Sequence, residues 1–102
     1  MAELRDSAFD TLLAAERAAY AGRTRLRIAE LEGHLGAGQL EEARRAAHRL
    51  RGSAGTYGFP ALSEAARDIE EALGRGDSVD EPMLRRLREA CPESAQPTER
   101  VP

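Results

Sequence analysis

Residues 46–59, AAHRLRGSAGTYGF, set an imidazole among guanidinium groups and ahead of three glycines. His48 has Arg44, Arg45, Arg49 and Arg51 within four positions, and Gly52, Gly55 and Gly58 follow it. An unperturbed imidazole, with a pKa near ~6.5, is mostly neutral at pH 7 and is then a nucleophile. Guanidinium groups hold phosphoryl oxygens through forked hydrogen bonds. A glycine inside a helix costs roughly 0.5–1 kcal/mol relative to alanine, so Gly52 and Gly55 need a reason. Access supplies one, because bare helix surface beside the ring lets a second protein's backbone come close. An exposed nucleophile, anion-holding arginines and an open approach are what phosphoryl transfer between proteins requires. His48 is therefore the candidate reacting residue. Arg51 and Arg44 are candidates for holding the phosphoryl group, and Gly52, Gly55, Arg45 and Arg49 for docking a partner.

These residues need a helix to position them, and the chain reads as helices throughout. Proline is absent from residues 1–59, and no stretch alternates apolar and polar residues as strands do. Phe9, Leu12, Leu13, Glu16, Ala19 and Tyr20 recur at helical spacing, as do Ile28, Leu31 and Leu35. They predict one long helix over about 6–35, or a short one and a second hinged at Gly22. GHLGAG stops that segment. A second helix is predicted over about 39–57, with Leu40, Ala43, Ala47, Leu50 and Ala54 on its buried face. His48 then falls about 100° from Ala47, at the edge of the wet face.

YGFP ends the second helix, and Pro60 suits the first turn of the next. Leu62, Ala65, Ala66, Ile69 and Leu73 form the stripe of a third helix. SVDE offers a capping box, Ser78 answered by Glu81, for a fourth lined by Met83, Leu84, Leu87 and Cys91. Short loops between such helices predict an all-α, up-and-down antiparallel four-helix bundle. Residues 1–91 form the domain, and 92–102 a polar tail expected to be disordered.

Bulk properties bound the function. The 102 residues suit one domain, and 41% apolar with 32% charged residues is a soluble composition. Aromatics are only 4%, so Leu, Ile and Ala must build the core. All fifteen basic residues are arginine, against eighteen acids; the net charge of −3 argues against a general nucleic-acid binder. No apolar run is long enough to span a bilayer, and MAELRDSAFD lacks a signal-peptide layout. A single cysteine, Cys91, allows no internal disulfide, so a cytoplasmic location is expected.

The motif resembles the signature of the histidine-containing phosphotransfer (HPt) domains of two-component phosphorelay signalling. Ala47–His48, Leu50, Arg51, Gly52, Ser53–Ala54–Gly55 and Gly58 match it, and GFPALSEAARDIEEAL resembles the helix that follows in such domains. The similarity covers roughly residues 6–90. It implies a four-helix bundle with the histidine exposed midway along one helix, and His48 as the phospho-accepting residue through Nε2. Arg51 stands where the family usually has lysine; a planar guanidinium cannot act as a compact point charge, so altered transfer rates are expected rather than loss. The resemblance further implies that Mg²⁺ and catalytic carboxylates belong to a partner receiver domain of a response regulator. This chain would bind no cofactor itself and have no independent catalytic machinery. A hybrid sensor histidine kinase is a further expected partner, and a monomer the expected state.

Other residues read more plainly. His34 sits at a helix end, Cys91 reads as a small core residue, and Arg23, Arg25 and Arg27 as solvated. Tyr57 and Phe59 read as packing at the bundle end, while Ser53 has no evident base. Two distant histidines and one cysteine make no metal-ligand set. GSAGTYG is followed by no Lys-Ser/Thr, so it is not a P-loop, and one GxxG without strands does not make an RNA-binding KH module. Two alternatives remain beside a free-standing carrier. One is the N-terminal phospho-accepting domain of a chemotaxis-type histidine kinase. The other is a helical adaptor without phosphate chemistry.

Overall fold

The structure is a computed structural model that describes residues 2–92, with side chains from Ala8 onward. The expected tail therefore lies, from residue 93, outside the described residues. Four helices follow in order: α1 Ala2–Gly36, α2 Leu40–Tyr57, α3 Pro60–Gly74 and α4 Glu81–Ala90. No strand occurs among the described residues. Turns at 37–39, 58–59 and 75–80 reverse the chain each time. Cross-helix pairs fix the antiparallel order: Tyr20 with Tyr57, His48 with Glu70, and Glu32 with Arg88. The fold is the expected all-α four-helix bundle.

α2 buries the small side of its surface, with Ala43, Ala47 and Ala54 fully covered and Leu50 nearly so. Alanine at these positions lets α3 approach closely with Leu62, Ala65, Ala66 and Ile69. Leu31 and Ile28 of α1 and Leu87 of α4 complete the core. Burying a leucine or isoleucine side chain contributes about 1.5–3 kcal/mol, so these few residues hold the bundle together. Tyr20 stacks on Tyr57 at 4.4 Å and on Phe59 at 5.5 Å, closing one end as expected. Arg88 anchors α4 by donating to both oxygens of Glu32 and to Glu81.

One choice left open by the sequence is decided, and two expectations need correction. Of the two alternatives, α1 is the single long helix, continuous through Gly22, where Tyr20 and Ala21 beside the glycine are buried. Phe9, Leu12 and Leu13 are not core: they are 59%, 60% and 45% exposed. At about 1.5 Å per residue, the 35-residue α1 is roughly twice as long as the 18-residue α2. Its first turns therefore extend past the level where Tyr57 meets Tyr20. Leu40, at the first turn of α2, is likewise exposed at 55%.

The cap of α4 is Asp80, whose Oδ1 accepts from the Met83 backbone at 3.0 Å; Ser78 and Glu81 form no box. Starting at Glu81 places Pro82 in the first turn, where its missing N–H costs no hydrogen bond. Pro60 opens α3 for the same reason. Gly58 ends α2 with φ +84°, and Phe59 N–H donates to Ala54 O at 2.8 Å. This left-handed cap gives Gly58 a structural role.

Candidate functional site

His48 rides on the rim of α2 because Ala47 beside it points inward, and its side chain is 67% exposed. The ring is nonetheless held. Its Nδ1 lies 2.7 Å from Glu70 Oε2, a carboxylate delivered by α3 and itself only 14% exposed. The other oxygen of Glu70 accepts from Arg51 Nη1 at 3.1 Å. One carboxylate thus fixes both the imidazole and the guanidinium that follows it.

Burial alone would push the Glu70 carboxyl up, but hydrogen bonds from His48 and Arg51 outweigh it and hold the group below its ordinary range. Ionised, the carboxylate has no proton to give and can only accept. Nδ1 must therefore carry the hydrogen, and in the neutral ring the lone pair is on Nε2. The carboxylate so chooses the tautomer and leaves the outer nitrogen nucleophilic.

Glu70 was not foreseen from the sequence. Its signal is subtle: it falls four residues after buried Ala66 and three before half-buried Leu73, so an acid sits at the edge of an apolar stripe. A carboxylate there faces the neighbouring helix rather than bulk water.

The other predicted residues divide. Arg44 donates to both oxygens of Glu41, at 3.1 and 2.6 Å, and Arg45 reaches the same carboxylate at 3.3 Å. The Arg44 hydrogen bond holds the Glu41 carboxyl below its ordinary range. Arg44, Arg45, His48, Arg49 and Glu70 line one shallow depression. Arg49 has no carboxylate within ion-pair distance among the described residues.

A Cβ placed on Gly52 would meet nothing within 4 Å, and one on Gly55 would make ordinary contact with Ser63 Oγ at 3.8 Å. Packing demands neither glycine, and what their absence of side chain provides is open helix surface beside the imidazole. Ser63 Oγ instead donates to Arg51 O at 2.9 Å, tying α3 to the backbone under the site.

Residues read plainly keep that reading. His34 Nδ1 pairs with Gln39 Oε1 at 2.9 Å across the α1–α2 turn. Cys91 packs against the core, where burial pushes its thiol up despite the nearby Arg25. Ser53 Oγ pairs with Tyr20 OH at 2.9 Å and lies 3.3 Å from Leu50 O. Among the described residues no group of three or more His, Cys, Asp and Glu side chains could hold a metal. Among the described residues no helix is long and apolar enough to cross a membrane.

A four-helix bundle presenting a tautomer-fixed histidine on an open helix face defines a phosphotransfer class of protein. The family comparison agrees: the model of the Hpt domain matches residues 2–96, nearly the whole chain, and the chain belongs to the Hpt domain family. No curated protein and no solved structure matches it. Membership gives it a histidine phosphotransfer role in phosphorelay signalling, in which such domains work with receiver domains and kinases.

Proposed function

We propose that this chain is a cytoplasmic, monomeric phosphocarrier in which His48 takes a phosphoryl group from the phospho-aspartate of a response-regulator receiver domain and returns it to another. The observation that carries this reading is Glu70 on Nδ1, which turns the lone pair of Nε2 outward. In the forward step the Nε2 lone pair attacks phosphorus. The P–O bond of the acyl phosphate breaks, and the aspartate leaves as a carboxylate. The ring keeps its Nδ1 hydrogen and gains positive charge, which the Glu70 carboxylate offsets at 2.7 Å.

Arg51 and Arg44 are close enough in sequence to reach the phosphoryl oxygens, and each would do so by exchanging a carboxylate partner for the phosphate. Gly52 and Gly55 leave the approach open, with Arg45 and Arg49 beside it. Mg²⁺ belongs to the receiver, whose acidic pocket supplies the metal site, and this chain contributes the nucleophile and the docking surface.

The test is to mix the chain with a phosphorylated receiver and Mg²⁺. Acid-labile, alkali-stable label on this chain that disappears in His48→Gln is expected. Absence of label, or label that survives His48→Gln, overturns the assignment. An adaptor without phosphate chemistry would bind the receiver and take up nothing.

A further inference from the structure

We propose that the furrow between α1 and α2, walled by Arg23, Arg27 and Arg49, is a recognition site for carboxylate side chains of the protein that engages His48. The inference rests on the phosphocarrier reading and adds where partner choice is made. Tyr20, Ser53 and Tyr57 line the rest of the furrow.

The first argument is charge. In a chain of net charge −3 with eighteen acids, Arg44, Arg45, Arg51, Arg75 and Arg88 all sit on carboxylates. Arg23, Arg27 and Arg49, like Arg17, Arg25, Arg85 and Arg86, have no carboxylate within ion-pair distance among the described residues, but these three converge on one furrow. Arg23 and Arg27 are four apart on α1, a like-charge spacing that is unfavourable on its own. An incoming anion removes that repulsion.

The second argument is preorganisation. Arg23 lies 5.9 Å over the Tyr20 ring and reaches Tyr57 OH at 3.5 Å. Tyr20 is itself fixed by its bond to Ser53 and by stacking on Tyr57. A planar guanidinium so placed loses little freedom on forming a forked bond to a carboxylate.

The third argument is position. At about 100° per residue, Gly52 falls between His48 and Arg49 on α2, about 40° from the first and about 60° from the second. A partner lying along the bare strip at Gly52 has the imidazole on one flank and the furrow on the other. Arg49 lines both depressions and joins them. The furrow's three guanidinium groups match acidic side chains, and its continuity with the His48 depression through Arg49 makes the protein that engages His48 the occupant.

Arg23→Gln with Arg27→Gln tests this on a helix that does not carry His48. Phosphoramidate, a small donor whose P–N bond breaks with release of ammonia, charges His48 without any docked protein. The second donor is a receiver charged with acetyl phosphate, chosen as the one transferring fastest to the unaltered chain. We expect the double variant to accept phosphoryl from phosphoramidate at the unaltered rate. Its kcat/KM with the receiver should fall about 10-fold, through KM, and lose much of its salt dependence. Receiver transfer within about twofold of the unaltered chain overturns the furrow, as does an equal loss with both donors. If the unaltered chain takes nothing from phosphoramidate, the His48 assignment fails instead.

Discussion

The two flanks of Gly52 handle charge in opposite ways. On the α3 side, His48 and Arg51 share the ionised carboxylate of Glu70, while Arg44 and Arg45 share Glu41 within the first turns of α2. On the α1 side, Arg23, Arg27 and Arg49 face the furrow with no such partner among the described residues. Paired charges fix geometry, since each group's position is set by its neighbour. Converging charges of one sign leave an attraction that an incoming anion meets. The first arrangement suits chemistry at one ring nitrogen, and the second suits recognition.

The largest effect should come from removing the nucleophile. His48→Gln should abolish phosphoryl uptake while leaving the helical circular dichroism spectrum intact, because the side chain is exposed and makes no core contact. Glu70→Gln should come next. A neutral amide presents a donor as well as an acceptor to Nδ1, so the tautomer is no longer dictated. A slowing of transfer by about 10- to 100-fold is expected in single-turnover kinetics, in line with the cost of misplacing a reacting group. An unchanged rate would reduce Glu70 to a structural clasp.

Gly52→Gln should then slow transfer roughly 10-fold by placing bulk on the strip that separates the two flanks. It should leave the fold intact, since nothing lies within 4 Å of the added Cβ.

Acid should undo the paired flank selectively. Glu70 is held below its ordinary value of 4.5 in the folded chain, so its contribution to stability is present above that value. The contribution is lost as pH falls through the lower, folded-state pKa. Urea midpoints of the unaltered chain and Glu70→Gln should therefore differ at pH 7 and converge as pH falls through the lowered folded-state pKa.

The smallest effects separate the glycines. Gly52→Ala should raise stability by about 0.5–1 kcal/mol, as an open helical site gains a helix-former. Gly58→Ala should lower it by about 1–2 kcal/mol because φ there is +84°. Thermal unfolding of the two variants reads both.

Much of this was legible in the residues. Ala43, Ala47, Leu50 and Ala54 mark the inner face of α2 by spacing alone, and that face puts His48 on the rim. The aligned glycines pointed to access, which the open space at Gly52 supports. What spacing could not supply was partnership across helices. Glu70 is 22 positions from His48, and only the antiparallel return of α3 brings it to Nδ1. Nor could periodicity tell which apolar stripe finds a cover: Phe9 and Leu12 have the spacing of core residues but no helix opposite them among the described residues. Arg23 and Arg27 read as solvated until Arg49 and the hydroxyls of α2 closed a furrow beside them.

The central claim is that Nε2 of His48 is the acceptor while Nδ1 remains on Glu70. Nitrogen-15 NMR of the chain, labelled at histidine and treated with phosphoramidate, tests it directly. The account predicts that the His48 Nε2 resonance moves and couples to phosphorus, with Nδ1 still protonated and His34 unaltered. Phosphorus attached to Nδ1, or to His34, would contradict it.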